Sequence, residues 1–186
     1  MRLPLLPLST VFFPRMLIPL LIFEERYKAM MEYCTETGSD FGIALIRSGQ
    51  EVGGPAEPYE IGTIAHIMRS VDMEEGHQHI IVRGGERFVI RELLHDRPYL
   101  VAEVDEYPLE AGGMDHRLLA QVEIAFYRYL QMLKQVQGLS ITISNLPDDP
   151  PGIAWMIAWG LQVDLPKRQE LLSARSLQDL LLREKA

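Results

Sequence analysis

Two hydrophobic periods meet near residue 112, and their meeting constrains the fold more than any motif. Up to Tyr107 the apolar residues come in short runs broken by glycine and proline. In the last of these, Leu100, Ala102 and Val104 alternate with Val101, Glu103 and Asp105, the period of a strand. After Ala111-Gly112-Gly113 the spacing changes, and Leu118, Val122, Ala125, Tyr129, Leu133 and Val136 fall on one helical face. A β-rich part followed by a helical part makes the chain α+β. The expected division is a β-rich subdomain at 1–110 and a helical subdomain at 111–186.

Leu3 to Leu8 carries Pro4 and Pro7 and reads as an edge strand. Tyr27, Met30, Met31 and Cys34 recur at helical spacing, which predicts a short amphipathic helix stopped near Gly38. Phe41 to Arg47, Ile61 to Met68 and Tyr99 to Tyr107 are strand candidates, and Gly49 to Pro58 is a loop. Gly84-Gly85 reads as a tight hairpin joining His77–Arg83 to Glu86–Leu93. Several short strands with turn signals between them point to a small barrel or sandwich. In the second part, Asp149 before Pro150, Asp164, and Ser176 with Asp179 each have the pattern of a helix start.

The opening Met1-Arg2 and its apolar run imitate a secretion signal. Four prolines (Pro4, Pro7, Pro14, Pro19) interrupt it, and no small-x-small cleavage pattern follows. The longest unbroken apolar stretch there, Leu20 to Phe23, is far too short to span a bilayer. A folded chain in the cytoplasm, with no membrane partner, is the expectation. Cys34 is the single cysteine, so no intrachain disulfide or cysteine-based zinc site can form. The formal net charge of -8 repels phosphate backbones at long range and counts against nucleic acid.

Gly49 and Gly54 have the separation of the glycines in a phosphate-binding loop, but Pro55 and Ala56 stand where lysine and Ser/Thr are needed. His77 and His79 point the same way along a strand, yet no third metal ligand is evident nearby. No G-x-S-x-G elbow is present, and Cys34 beside Met30 and Met31 reads as a core thiol. His66, His77, His79 and Glu74 are the only material for an enzyme site built from scattered residues. Arg83, Arg87, Arg91 and Arg97 are interleaved with Glu86, Glu92 and Asp96, which predicts cross-strand ion pairs on a solvated face. Phe12, Phe13, Met16, Leu17 and Ile18 lie in a proline-rich loop, either packed as core or forming an adaptable apolar groove.

The residues Leu3-Pro4-Leu5-Leu6-Pro7-Leu8, Val11-Phe12-Phe13-Pro14 and Ile18 through Tyr27 resemble the opening of the Lon protease N-terminal, substrate-binding domain. The resemblance continues through Phe41–Ile46, Ile61–Ala65, Gly85–Phe88, Tyr99–Val104 and Arg168–Leu172, in order along nearly the whole chain. It is nearest to the free-standing bacterial members, although Leu21 stands where histidine is frequent in these and Glu25 where proline is frequent. The resemblance implies a PUA-like β-pseudobarrel followed by a helical bundle. It further implies a non-catalytic module, without the ATPase and Ser–Lys peptidase modules of full-length Lon and with no cofactor or metal. The implied partners are unfolded or hydrophobic polypeptide segments and a separate protease or chaperone. Phe12, Phe13, Met16, Leu17 and Ile18 are then the candidate substrate-binding residues. The rival expectations are RNA binding through the barrel and a small hydrolase with a dispersed site.

Overall fold

A computed structural model of the chain describes residues 1–110, 115–137 and 147–185. These fall into two units, Met1–Pro108 and Leu109–Ala186. The first unit contains β1 (Arg2–Leu8), β2 (Leu17–Ile22), α1 (Glu25–Thr37), β3 (Phe41–Gly49), β4 (Ala56–Pro58), β5 (Ile61–Asp72), β6 (Gln78–Leu94) and β7 (Leu100–Glu106). The strand order is β1-β7-β6-β5-β3-β4, and β1 also pairs with β3, so β1, β7, β6, β5 and β3 close into a ring. The expected α+β class and small barrel are both present. β2 lies off the ring and pairs with β6.

β1 is not an edge strand. It runs between β7 and β3, and every residue from Leu3 to Leu8 is buried. Its prolines are tolerated for a reason of parity. Met1 and Val104 exchange both backbone hydrogen bonds at 2.8 Å, so odd residues of β1 aim their N–H at β7 and even residues at β3. Pro4 faces β3, where pairing begins only at Leu5. Pro7 faces β7, where pairing has already stopped at Leu5 opposite Leu100. Neither proline therefore deprives the sheet of a bond.

The Gly84-Gly85 hairpin is absent as well, because β6 runs unbroken through both glycines. Neither has a positive φ. Their use is close approach: a Cβ on Gly84 would strike the carbonyl oxygen of Phe13, and one on Gly85 would strike the His66 ring. The β5–β6 register also shifts here, from Thr63 opposite Arg87 to Ala65 opposite Gly84, which places a bulge on β6.

Helix α1 buries the expected Tyr27, Met30, Met31 and Cys34 and ends at Gly38 in the left-handed region, φ 65°. This face packs over Leu6, Leu8, Phe12, Phe41 and Ile43. A second cluster, Leu3, Leu5, Ala44, Phe88, Ala102 and Val104, occupies the other side of the strands. Thr63 is fully buried, and its hydroxyl donates to the Phe12 carbonyl at 2.5 Å. Thr63→Val should cost about 1–3 kcal/mol, because the Phe12 carbonyl is left buried without its donor. Denaturant unfolding checks this, and Thr63→Ser should restore most of the loss.

Two arginines hold the unit together from within. The Arg26 guanidinium lies 4.6 Å from the Tyr27 ring centre and donates to the Gly54 carbonyl at 2.9 Å, tying the loop after β3 to the helix. Arg87 is not on a solvated face, since it is 4% exposed and stacks over Tyr107. Burial lowers its pKa to about 10. Arg91 does pair across strands, with Asp105 of β7 at 2.8 Å, whereas Asp96 pairs with Arg2.

The second unit contains α2 (His116–Gln137), α3 (Pro150–Gly160), α4 (Leu165–Leu172) and α5 (Leu177–Lys185). All three helix starts expected after α2 occur. Asp149 accepts from Gly152 N–H and Asp164 from Lys167 N–H, each at 3.0 Å, and Ser176 accepts from Asp179 N–H at 3.1 Å. The buried stripe of α2 is Leu118, Leu119, Val122 and Phe126, while Ala125 is exposed and Val136 is 81% exposed. Phe126 rather than Ala125 turns inward because its ring buries far more apolar surface. Ala111, Gly112 and Gly113 lie outside the described residues.

Candidate functional site

Strand β2 is apolar on both faces. Its even residues pack inward: Ile22 is buried, and Ile18 and Leu20 lie half-buried against the α1 core. Its odd residues Leu17, Pro19 and Leu21 are exposed, beside exposed His79, Ile81 and Arg83 of β6 and Arg69 and Val71 of β5. Register fixes the rows. Pro19 lies opposite Ile81, which lies opposite Arg69; Leu21 lies opposite His79, which lies opposite Val71. The result is a hollow of about 1090 Å³ on the outer face of β2–β6–β5, closed at one end by Met73, Glu74 and His77. Leu21 is 47% exposed, Val71 43% and Ile81 39%. Such a cluster of exposed apolar side chains on one face marks an interaction surface.

The open edge of β2 adjoins this hollow. Gly84 N–H donates to the Met16 carbonyl at 2.8 Å, so the backbone groups of Leu17, Pro19 and Leu21 turn away from β6. Proline at 19 costs no ladder bond, and its missing N–H blunts the edge.

The five residues singled out in the sequence divide. Phe12 and Phe13 are buried at 1% and 0% exposure, and Met16 and Ile18 are half-buried against the core. Leu17, 61% exposed, stands on the outer face. Sequence reading missed Leu21, Arg69, Val71, Met73 and Ile81. A signal for one of these, Leu21, was available: Leu17–Ile22 is apolar at every position, although a strand with one solvated face should alternate.

The histidines do not form one cluster. His66 Nδ1 is 2.8 Å from Asp40 Oδ2, and its Nε2 is 3.7 Å from Glu86 Oε2. His77 and His79 line the hollow with Glu74, and Phe23 meets the His77 ring edge-on at 6.4 Å between centres. Among the described residues no group of three His, Cys, Asp or Glu side chains could hold a metal ion. Burial pushes the Cys34 thiol up to about 11, with Asp40 adding to the effect, so the thiolate is disfavoured. No helix among the described residues is long and apolar enough to cross a membrane.

A closed strand ring with an off-ring strand, and a helical unit after it, are the architecture solved in Lon N-terminal domains. The Lon N-terminal domain protein from Xanthomonas campestris superposes with a TM-score of 0.71 at 26% identity, covering 97% of this chain and 95% of that one. The N-terminal domain of Mycobacterium avium complex Lon protease shares the fold, with a TM-score of 0.69 at 19% identity, over 99% and 96% of the two chains. Residues 2–184 match the model of the ATP-dependent protease La (LON) substrate-binding domain, and the chain belongs to that family. The Lon protease of Dictyoglomus thermophilum is 28% identical over 187 residues, and Lon protease 2 of Herpetosiphon aurantiacus 29% identical over 194. These alignments take in 96% and 98% of this chain but only 23% of each protease.

Proposed function

We propose that the chain is a polypeptide-binding module, acting in the cytoplasm, that captures extended apolar segments of unfolded proteins for a protease or chaperone. The observation that carries this is the outward-facing apolar set Leu21, Val71, Met73 and Ile81 around one hollow, with exposed Leu17 further along the same face of β2. Family membership supports it. An extended client suits the geometry, since a strand laid along the β2 edge can pair with Leu17 and Leu21 and direct alternate side chains to the same face. The module is read as a recognition unit because the family whose model it matches is a substrate-binding domain, and the apolar lining of the hollow suits capture.

Photo-crosslinking to a carboxymethylated, permanently unfolded protein tests the reading. The wild-type chain should crosslink. Leu21→Glu and Ile81→Glu should each reduce capture about tenfold while shifting stability by less than ~0.5 kcal/mol, as expected for exposed positions. A wild-type chain that captures no unfolded client, or variants that capture as well as wild type, would end this proposal.

A further inference from the structure

The hollow is apolar along its middle but unevenly charged. At one end Arg69 lines the hollow opposite Ile81, and just beyond the lining Arg83 follows two residues along β6 on the same exposed face. At the other end are Asp72 and Glu74, and Asp72 already accepts from Gln78 at 3.0 Å.

The state of the two arginines is unusual for this unit. Arg2, Arg26, Arg47 and Arg91 are each ion-paired, with Asp96, Glu24, Glu57 and Asp105. Arg87 and Arg97 stack over tyrosine rings. Arg69 and Arg83 make no ion pair, hydrogen bond or ring contact with any described residue. In a chain of net charge -8, carboxylates to satisfy them are plentiful, yet none of the described residues is aimed at either. Two unpaired guanidiniums beside an apolar surface complement a ligand that carries its own carboxylate, because the planar fork of arginine binds carboxylate in two parallel bonds.

We propose that the outer face of β2–β6–β5 selects unfolded segments in which an acidic side chain lies close to apolar ones, the carboxylate being read by Arg69 and Arg83. This rests on the polypeptide-binding reading above and gives it a substrate class. The selection is local. The net charge of the protein repels an anionic peptide at long range, so any preference for acid must arise from groups at the site.

The test uses the full chain and fluorescently labelled extended peptides of equal length, sharing one apolar sequence and differing at one or two positions, Glu against Gln. Anisotropy at moderate salt should give a Kd about fivefold lower for the Glu peptide, the size expected of two partly exposed charge pairs. In R69Q/R83Q the preference should vanish, the Glu and Gln peptides binding with equal Kd, and both substitutions are at exposed positions where the fold should tolerate them. Equal binding of both peptides by the wild type would overturn the selectivity and leave polypeptide binding standing. A preference that survives in R69Q/R83Q would also overturn it, since the carboxylate would then be read elsewhere. If neither peptide binds, the function proposed above fails and the selectivity falls with it. A short single-stranded RNA that displaces the Glu peptide as effectively as unlabelled peptide would overturn it in favour of a phosphate site.

Discussion

Phe88→Ala is expected to lose about 3–5 kcal/mol of stability, the range for truncating a fully buried aromatic ring. Phe88 is 1% exposed at the centre of the inner cluster, with Leu3, Leu5, Ala44, Ala102 and Val104 around it. Its ring fits because two facing glycines leave room. A Cβ on Gly42 would come within 2.7 Å of both the ring and Leu5 Cδ2, and one on Gly62 within 2.5 Å of the ring and of the Ile43 carbonyl oxygen. The two glycines should respond differently once the ring is gone. Gly42→Ala alone overpacks the site and should cost about 1–3 kcal/mol. In a Phe88→Ala background it should cost much less, because the obstacle was mostly ring and Leu5 can rotate. Gly62→Ala should remain costly in both backgrounds, since the Ile43 carbonyl is backbone and cannot move aside. Urea unfolding of the two double-mutant cycles measures the couplings. Additive costs for Gly42→Ala with Phe88→Ala would sink this picture of the core.

Much of this fold was legible in the sequence where a pattern has one cheap physical solution. Tyr27, Met30, Met31 and Cys34 are buried as their spacing requires, because no other periodic structure puts those four on one side. Asp149, Asp164 and Ser176 cap helices, because a helix start needs an acceptor for its free N–H groups. Glycine and proline misled because each has two uses. Gly84-Gly85 can turn a chain or admit a neighbouring backbone, and the second use depends on where Phe13 and His66 lie, which local sequence does not encode. Pro4 and Pro7 imply an edge only if their nitrogens face a partner. Staggered pairing of β1 with two neighbours removes that conflict.

The candidate site was legible only in part, because Leu17 and Ile18 read as part of a proline-rich loop and stand instead on strand β2. The run Leu17–Ile22 signals an edge strand with an apolar outer face, and the family departure at Leu21 falls on that face. Which residues of β5 and β6 lie beside it depends on a register broken by bulges between Thr63 and Ala65 and between Ile67 and Arg69. The second bulge sets two steps along β5 against one along β6, from Ile67 opposite Val82 to Arg69 opposite Ile81, a shift that period-two counting misses. The proline-rich loop drew attention for its composition. Its phenylalanines proved to be anchors that fix the loop to the core, while the strand that follows presents the surface.

Glu184→Gln is expected to stabilise the helical unit at alkaline pH and to flatten its pH profile. The Glu184 carboxyl, in the last turn of α5, is mostly buried, and neither of its oxygens has a hydrogen-bond partner among the described residues. Burial raises its pKa from 4.5 to about 9. An ionised carboxylate there would also oppose the negative end of the helix dipole. The folded protein therefore keeps this proton across a range where the unfolded chain releases it. Between pH 4.5 and 9 the unfolded state gains from ionising while the folded state does not, so stability falls as pH rises through that window. Below the lower value the full contribution is present, and above the upper value both states are ionised and the loss is complete. Glutamine keeps the shape but cannot ionise in either state, which removes the slope. At pH 8 the variant should gain about 2–4 kcal/mol, discounted from the full linkage of ~1.4 kcal/mol per pH unit for relaxation around the site. At pH 4 it should gain nothing, or lose slightly to an amide with no partners. Thermal unfolding from pH 4 to 9, following the helical signal at 222 nm, gives both curves, and the difference between them cancels the general repulsion of an acidic chain. Parallel curves for wild type and variant would mean that Glu184 finds water or a cation in solution and is charged in the folded protein.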